Sequence, residues 1–299
     1  MRAYFEKLLD SSQQQKQLPL IFPLLIALFS GAVFSFSLAP YYWWWLAILS
    51  PALLYATLHK RSAKQAFAIG WSYGFGLWFV GAFWLYTSIH VYGDTNAFLS
   101  VCMIAVMALV MGLFTAFQTW VYRRFFPETP LTFAPLWIVF EWAKTWVFTG
   151  FPWLFVGYAF TERLLDGYAP LFGIYAISFV VIVLACALVE VLRKRIFWVI
   201  PSALLVLGAW GASYIQFVKP KDAKPLSVSL IQGNIPQDLK WLTEYQVRTL
   251  EIYAGLTQSE WGRDLIVWPE SSIPLFQTDI EPFLDAMDAQ AKKNHTAWV

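Results

Sequence analysis

Long apolar stretches dominate the chain as far as Phe217, and beyond that point charged and polar residues alternate with much shorter apolar runs. A bilayer core of ~30 Å requires about 20 apolar residues in a helix, and the stretches here are continuous rather than alternating, which favours helices over barrel strands. We therefore predict a polytopic helical bundle with seven membrane spans, at residues 18–38, 41–58, 66–89, 97–122, 131–148, 169–192 and 196–217.

Composition supports this interpretation, because 59% of the residues are hydrophobic and only 13% are charged. Such a composition is too apolar for a soluble protein of this length. Three of the glycines in the third span, Gly70, Gly74 and Gly81, occur at spacings that place small residues on a helix face. Small residues let helix backbones approach one another closely in membranes. We expect this span to pack tightly against a neighbour.

The distribution of Lys and Arg predicts the orientation of the bundle. Eleven of these residues fall at the N-terminus or in the second, fourth and sixth turns: Arg2, Lys7, Lys16, Lys60, Arg61, Lys64, Arg123, Arg124, Arg193, Lys194 and Arg195. We expect a cytoplasmic N-terminus, so that an odd number of spans places everything after Phe217 in the periplasm of a bacterium. The net charge of +2 is then mainly topological, and nothing indicates a nucleic-acid partner.

The region after Phe217 shows the periodicity of a soluble α/β domain. Residues 226–232, 265–268 and 296–299 read as short strands. Thr243 and Gln246 form a capping-box pattern before one helix, and Glu281-Pro282 opens another that ends near Asn294. The order β-α-β-α-β predicts an open sandwich. We therefore divide the chain into a membrane bundle, residues 1–217, and part of an α/β domain, residues 218–299.

Ionisable and nucleophilic residues within the predicted spans are few. Glu141 and Lys144 share a helix face, so they form either a structural salt bridge or a functional pair, and the sequence leaves both readings open. Cys102 and Cys186 lie in the middle of spans, where a thiol is a poor nucleophile, and we read them as packing residues. The three histidines are scattered, so no metal site is expected.

Two features indicate chemistry at the membrane surface. The loop Thr149-Gly150-Phe151-Pro152-Trp153-Leu154 places Trp153 at the outer boundary, where it either anchors the loop or forms a lip for lipid entry. Glu270 follows the apolar strand at residues 265–268, and ligands of open α/β sheets bind beyond the carboxyl ends of strands. A carboxylate at this point can act as a general base.

Several motifs occur together in one order: residues 148–154 (FTGFPWL), 230–237 (LIQGNIPQ), Lys240-Trp241, and 267–271 (VWPES). Together with seven spans before the α/β region, they make the chain similar to the apolipoprotein N-acyltransferases over essentially its whole length. The resemblance implies a nitrilase-like domain with a Glu-Lys-Cys triad in the bacterial inner membrane. It also implies transfer of an acyl chain from a membrane phospholipid to the N-terminal amine of a diacylglyceryl-cysteine apolipoprotein.

By the same resemblance, Glu270 is the triad base, and Trp241 belongs to the substrate pocket, to which Trp153 is a further candidate. The donor is already an activated ester, so the resemblance implies no cofactor and no metal, and we expect a monomer. The triad lysine and cysteine of the family fall beyond Val299, and neither Lys292 nor Lys293 matches the lysine. We therefore expect an incomplete nitrilase-like domain that is inactive alone. Two alternatives are a membrane-tethered nitrilase-type amidase and a non-catalytic lipid-binding or transport protein.

Overall fold

A computed structural model describes residues 18–216, 218 and 225–299 of the chain. These residues form two compact units, Met1–Phe217 and Val218–Val299, which are described separately below. The predicted N-terminal charges Arg2, Lys7 and Lys16 lie outside the described residues, as does the end of the seventh predicted span at Phe217.

The first unit is helical. Its α-helices, within the described residues, are α1 Ile21–Phe34, α2 Leu46–Thr57, α3 Ala63–Gly81, α4 Ala97–Phe125, α5 Pro130–Ala143, α6 Ala169–Leu192 and α7 Val199–Ala212. Short 3₁₀ turns extend some of them, at Ser35–Ser37, Val147–Thr149, Val156–Phe160, Asp166–Tyr168 and Ile196–Trp198. Two helical stretches, Ala97–Phe125 and Asp166–Leu192, are long and apolar enough to cross a bilayer, while other apolar helices are shorter.

Each predicted span overlaps one of these helices, and several of the helices end before the predicted boundary, α3 and α5 among them. The span at residues 66–89 is not one continuous helix. Helix α3 ends at Gly81, and the chain continues through turns into a π-helical segment, Thr87–Tyr92. A Cβ at Gly81 would lie 2.6 Å from the Leu154 side chain, so the end of α3 is packed against the loop that follows α5. The span at residues 131–148 ends as a regular helix at Ala143.

A close helix contact joins α3 to α4 and confirms the packing role predicted for Gly74. A Cβ built on Gly74 would lie 2.6 Å from the Cα of Gly112, which leaves no space for any side chain. Polar bonds cross the same interface, because the Thr119 hydroxyl donates to the Ala66 carbonyl at 2.8 Å. On the other side of α3, the Ser50 hydroxyl of α2 lies 2.8 Å from the Tyr73 hydroxyl. The third helix is thus held on both sides.

Replacing Gly74 with Ala should therefore separate α3 from α4. We expect a loss of about 1–3 kcal/mol in unfolding free energy, as for other overpacked interiors, because the methyl group would meet backbone atoms that cannot rotate away. Thermal unfolding of the detergent-solubilised chain measures the effect. Gly211→Ala is the matched control, since a Cβ there meets nothing within 4 Å. Equal stability of the two variants would contradict this account of the interface.

Charged side chains from the second, fourth and sixth turns meet at one end of the bundle. Glu128, which follows α4, pairs with His59 and Arg123, and lies 3.7 Å from an Nη1 of Arg193. Glu190 is fully buried and accepts from Arg193 and Arg195, each at 2.9 Å. The three basic turns that the charge distribution assigned to one side therefore share an end, as an alternating up-and-down bundle requires.

Glu128 should stabilise this end in a pH-dependent manner. Burial raises the pKa of its carboxyl, but hydrogen bonds from His59 and the Lys60 N–H and the charges of His59 and Arg123 outweigh burial and lower the pKa below its ordinary 4.5. A carboxyl with a lowered folded-state pKa stabilises fully above about pH 4.5 and loses this contribution as the pH falls through the folded value.

We expect Glu128→Gln to reduce the unfolding free energy by roughly 1 kcal/mol near neutral pH, because hydrogen bonds to a charged group are lost. The difference from wild type should shrink as the pH drops below about 4.5. Thermal unfolding scans at a series of pH values test this. Glu162→Gln, which changes an exposed carboxylate, serves as the control. A difference that persists unchanged in acid would rule out the charged form as its source.

The second unit contains a parallel three-stranded sheet in the order β1-β2-β3, with β1 Val228–Leu230, β2 Leu265–Val267 and β3 Ala297–Trp298. Val228 pairs with Leu265, and Leu265 with Ala297. The helices are α8 Gln237–Lys240, α9 Thr243–Gln258 and α10 Glu281–Lys293, with a 3₁₀ turn at Gln277–Asp279. The predicted strands and the helices after Thr243 and Glu281 are thus confirmed, with shorter strands than expected.

The predicted capping box of α9 is wrong. The helix begins at Thr243 with Leu242 in the N-cap position, and no side chain caps it. The Gln246 side chain instead lines a cleft, described below, and does not cap the helix. The core of this unit is formed by Ile231, Tyr253, Ile266, Trp268 and Met287.

Candidate active site

Glu270 lies three residues beyond the end of β2, the middle strand of the parallel sheet. Its side chain is exposed, and the next residue, Ser271, has a positive φ of 52°. The left-handed conformation at Ser271 turns the chain sharply after the carboxylate. The structure therefore places Glu270 at the carboxyl end of the sheet, which is the usual edge for ligands in this class of fold.

Trp268 fixes the approach to this carboxylate. Only 7% of Trp268 is exposed, and its backbone N–H donates to the Val299 carbonyl at 2.7 Å. Its indole N–H donates to the Thr257 hydroxyl of α9 at 2.9 Å, and its ring packs against those of Tyr253 and Trp298 with centroids 5.1 and 5.0 Å away. The residue two positions before Glu270 is thus held by α9 and by the end of the neighbouring strand β3.

A glycine shapes the corresponding end of β1. A Cβ on Gly233 would lie 2.8 Å from the ring of the buried Tyr253, so only glycine allows this close approach. Asn234 follows with a φ of 48°, in the left-handed region that Asn tolerates better than most residues. The turn directs the chain towards α8 and Trp241.

A cleft of about 480 Å³ lies at the loop that follows Glu270, beginning with Ser271. It is lined by Trp241, Gln246, Ser271, Ile273, Pro274, Leu275, Phe276 and Asp279. Trp241 is 60% exposed and Phe276 is 80% exposed, so the cleft presents aromatic surface to a ligand. The structure therefore brings Trp241 together with the loop that carries Glu270, although Trp241 and Glu270 are 29 positions apart in sequence.

Sequence analysis did not identify Gln246 and Asp279 as cleft residues. Gln246 was assigned to a helix cap, and Asp279 lies in a turn after an irregular loop. No periodicity in the sequence distinguishes these two polar residues from ordinary surface residues. Lys292 and Lys293 lie in the last turn of α10.

Trp153 belongs to the first unit, in the loop after α5. It is half-exposed, and its ring packs against Trp84 and Phe151 with centroids 5.7 and 6.0 Å away. Gly150 makes the turn before it possible, with a φ of 88° and the Thr145 carbonyl 2.1 Å from where a Cβ would be. A separate cleft of about 500 Å³ is lined by Trp84, Trp153 and neighbouring residues including Tyr42, Pro152 and Tyr158.

Glu141 and Lys144 are both buried, but they do not form the direct salt bridge that the sequence allowed. Glu141 Oε1 accepts from the Trp137 indole N–H and from the Val156 N–H, each at 3.0 Å. The Lys144 ammonium instead lies over the rings of Phe155 and Trp78, 4.8 and 5.8 Å from their centroids. The carboxylate is drawn towards the loop after α5, while the lysine, at the C-cap of that helix, is drawn towards aromatic faces.

The other candidate ligands and nucleophiles remain isolated. Cys102 and Cys186 are free thiols in α4 and α6. In the part of the chain that the structure describes, no group of three or more His, Cys, Asp or Glu side chains is placed to hold a metal ion.

Comparison with known proteins assigns the family. Residues 30–187 match the model of the apolipoprotein N-acyltransferase N-terminal domain, which is more than half of the chain. The chain belongs to the apolipoprotein N-acyltransferase family. The match covers most of the helical unit, from α1 into α6.

Curated apolipoprotein N-acyltransferases extend the similarity into the second unit. The protein of Coxiella burnetii is 37% identical over 284 residues, which are 91% of this chain and 58% of the relative. Those of Vibrio parahaemolyticus and Pseudomonas putida are 37% and 35% identical, and the aligned regions cover 55% and 57% of their lengths. The chain thus spans a little over half the length of the curated apolipoprotein N-acyltransferases that it matches.

The support of Glu270 by Trp268 can be tested by removing one hydrogen bond. Trp268→Phe keeps an aromatic ring but leaves the fully buried Thr257 hydroxyl without its indole donor. We expect a loss of about 1–3 kcal/mol in unfolding free energy, the cost of an unsatisfied buried polar group. Trp241→Phe is the control, because that side chain is exposed. Equal unfolding midpoints in denaturant would show that Trp268 does not anchor the strand.

Proposed function

We propose that this chain is the membrane-anchoring and base-supplying part of a phospholipid:apolipoprotein N-acyltransferase. In this proposal an acyl chain moves from a membrane phospholipid to the N-terminal amine of a diacylglyceryl-cysteine apolipoprotein. The observation that carries it is the exposed side chain of Glu270 at the carboxyl end of the middle parallel strand, on a loop whose next residue, Ser271, lines a cleft together with Trp241. Family membership supports the choice of acyl transfer over other reactions of such a carboxylate.

Glu270 acts as a general base in this mechanism. It takes the proton from a cysteine thiol, and the thiolate attacks the ester carbonyl of the phospholipid. The ester C–O bond breaks, and the lysophospholipid oxygen leaves with that proton, so a thioester remains on the enzyme. The lipoprotein amine then attacks the thioester and loses a proton to Glu270, and the amide forms as the thiol is restored. The resemblance assigns the cysteine, and the lysine that stabilises the oxyanion, to the part of the relatives outside this chain.

The two units have complementary tasks in this proposal. Both substrates are held in the bilayer by acyl chains, each CH₂ of which contributes about 0.8 kcal/mol when buried. Neither substrate therefore leaves the membrane readily, and an enzyme anchored beside them needs only a lateral search with pre-oriented reactants. A seven-span bundle with a cytoplasmic N-terminus would place the second unit, as part of a nitrilase-like domain, in the periplasm. The shared charged end of the bundle supports this orientation.

Two tryptophans are assigned to substrate handling. Trp241 presents exposed aromatic surface in the cleft beside Glu270, where it can pack against an acyl chain. Trp153 lines a cleft of its own unit together with Trp84. It lies in the loop after the fifth predicted span, which the predicted topology assigns to the side opposite the basic turns. Interfacial tryptophans of this kind suit the boundary between headgroups and hydrocarbon. We assign Trp153 to lipid entry rather than to the chemical steps.

The base can be tested by Glu270→Gln in a protein that extends this chain to the length of its relatives. Labelled phospholipid is supplied with a diacylglyceryl peptide, and both the acyl-thioester and the acylated peptide are measured. We expect both to fall by at least about 10²-fold, which is the low end of the usual contribution of general-base catalysis. Glu251→Gln, which alters an exposed carboxylate of α9, should leave both unchanged. Full turnover in Glu270→Gln would refute the assignment.

The same assay separates the alternatives. Hydrolysis of small amides without a trapped acyl-thioester would indicate a membrane-tethered nitrilase-type amidase. Retention of lipid binding in both native and Glu270→Gln proteins, without any acyl transfer, would indicate a lipid-binding or transport protein.

A further inference from the structure

A small cavity lies among the helices of the first unit. Its volume is about 20 Å³, and its lining includes Gln118 of α4, Glu141 of α5 and Lys144. A volume of roughly 10–15 Å³ on this scale holds one water molecule, and such a water needs two to four polar partners. The cavity is thus large enough for one water and far too small for an acyl chain.

Two polar atoms of its lining residues lack protein partners. Glu141 Oε2 and Gln118 Nε2 are both buried without a hydrogen bond to any of the described residues, although their side chains are only 2% and 4% exposed. Both protein hydrogen bonds of the Glu141 carboxylate end on Oε1. An unpaired buried polar group costs about 1–3 kcal/mol, and more when it is charged. An acceptor and a donor on one wall therefore call for a bridging group.

Lys144 limits the choice of that group. Its ammonium is buried against the faces of Phe155 and Trp78, and the residue lines the same cavity. With a lysine cation and an amide N–H₂ group as two of its partners, the site disfavours a metal cation. It equally disfavours an anion, because the third partner is a carboxylate. A neutral molecule that both donates and accepts fits all three.

We infer that Gln118, Glu141 and Lys144 bind a single internal water molecule. The water accepts hydrogen bonds from Gln118 Nε2 and Lys144 Nζ and donates one to Glu141 Oε2, so every polar atom on the wall is satisfied. The water thereby bridges Glu141 and Lys144, which do not form a direct ion pair. This inference is independent of the proposed acyl transfer.

The site also positions the loop that carries Trp153. Glu141 Oε1 accepts from the Val156 N–H at 3.0 Å, and the Lys144 carbonyl accepts from the Phe151 N–H at 2.7 Å. The two residues therefore hold the loop on both sides of Trp153. A water that fixes both side chains ties this loop to α4 through Gln118.

Radiolytic hydroxyl-radical labelling of the whole chain in detergent tests the inference, because radicals formed from a bound water oxidise adjacent side chains even where bulk water is excluded. Trp137 is the reporter, since it lines the cavity and is only 5% exposed. Trp198, 8% exposed and outside the cavity lining, is the reference. We expect Trp137 to be oxidised at a rate comparable to or above that of Trp198.

Three variants make the test specific. Gln118→Leu removes one partner of the water and fills space, so oxidation of Trp137 should fall several-fold while Trp198 is unchanged. Glu141→Gln keeps the size of the side chain but replaces an acceptor by a donor, and the double variant Glu141→Gln with Gln118→Glu restores one of each. We expect labelling of Trp137 to fall in the single variant and to recover in the double variant. Trp137 labelling that is undetectable in the native chain, or unaffected by Gln118→Leu, would overturn the inference.

Discussion

The close backbone contact of α3 with its neighbours is the constraint on which the helical unit depends. On one side Gly74 meets Gly112 of α4, and on the other Gly76 approaches α1 so closely that a Cβ would lie 2.1 Å from the Leu28 carbonyl. Within a membrane, helices gain little from hydrophobic association, so packing of this kind and interhelical hydrogen bonds supply the stabilisation. Because α3 is fixed on two sides, its end at Gly81 is fixed against Leu154, and the loop that carries Trp153 begins from a defined place.

Charged side chains of the bundle are also held by specific contacts. Charged side chains gather at one end of the bundle, where Glu128 and the fully buried Glu190 pair with arginines. Those away from that end are few, and each is matched to a particular partner. Glu141 receives two N–H donors, and Lys144 receives two aromatic faces. Burial makes these groups costly when unpaired, so their positions determine which segments lie beside them.

The second unit shows how a parallel sheet can present a single carboxylate. Its strands are only two or three residues long, yet their carboxyl ends share one edge. The buried Trp268 anchors the middle strand, and the exposed Glu270 follows after one stiff proline. The cleft beside it combines this loop with Trp241 from the segment after β1. Anchoring of this kind fixes the backbone position of Glu270 without burying its carboxylate.

The sequence by itself determined the elements of this protein, because their periodicities are local. Continuous apolar stretches predicted the helices of the first unit, and the β-α-β-α-β order and the position of Glu270 followed from short apolar runs and turn residues. Tertiary structure decided which of these residues meet. Gln246 lines a cleft instead of capping its helix, the helix at residues 66–89 breaks where Leu154 packs on Gly81, and Glu141 turns from Lys144 to Val156. Each outcome depends on atoms distant in sequence that compete for the same side chain or space, and no local pattern records that competition.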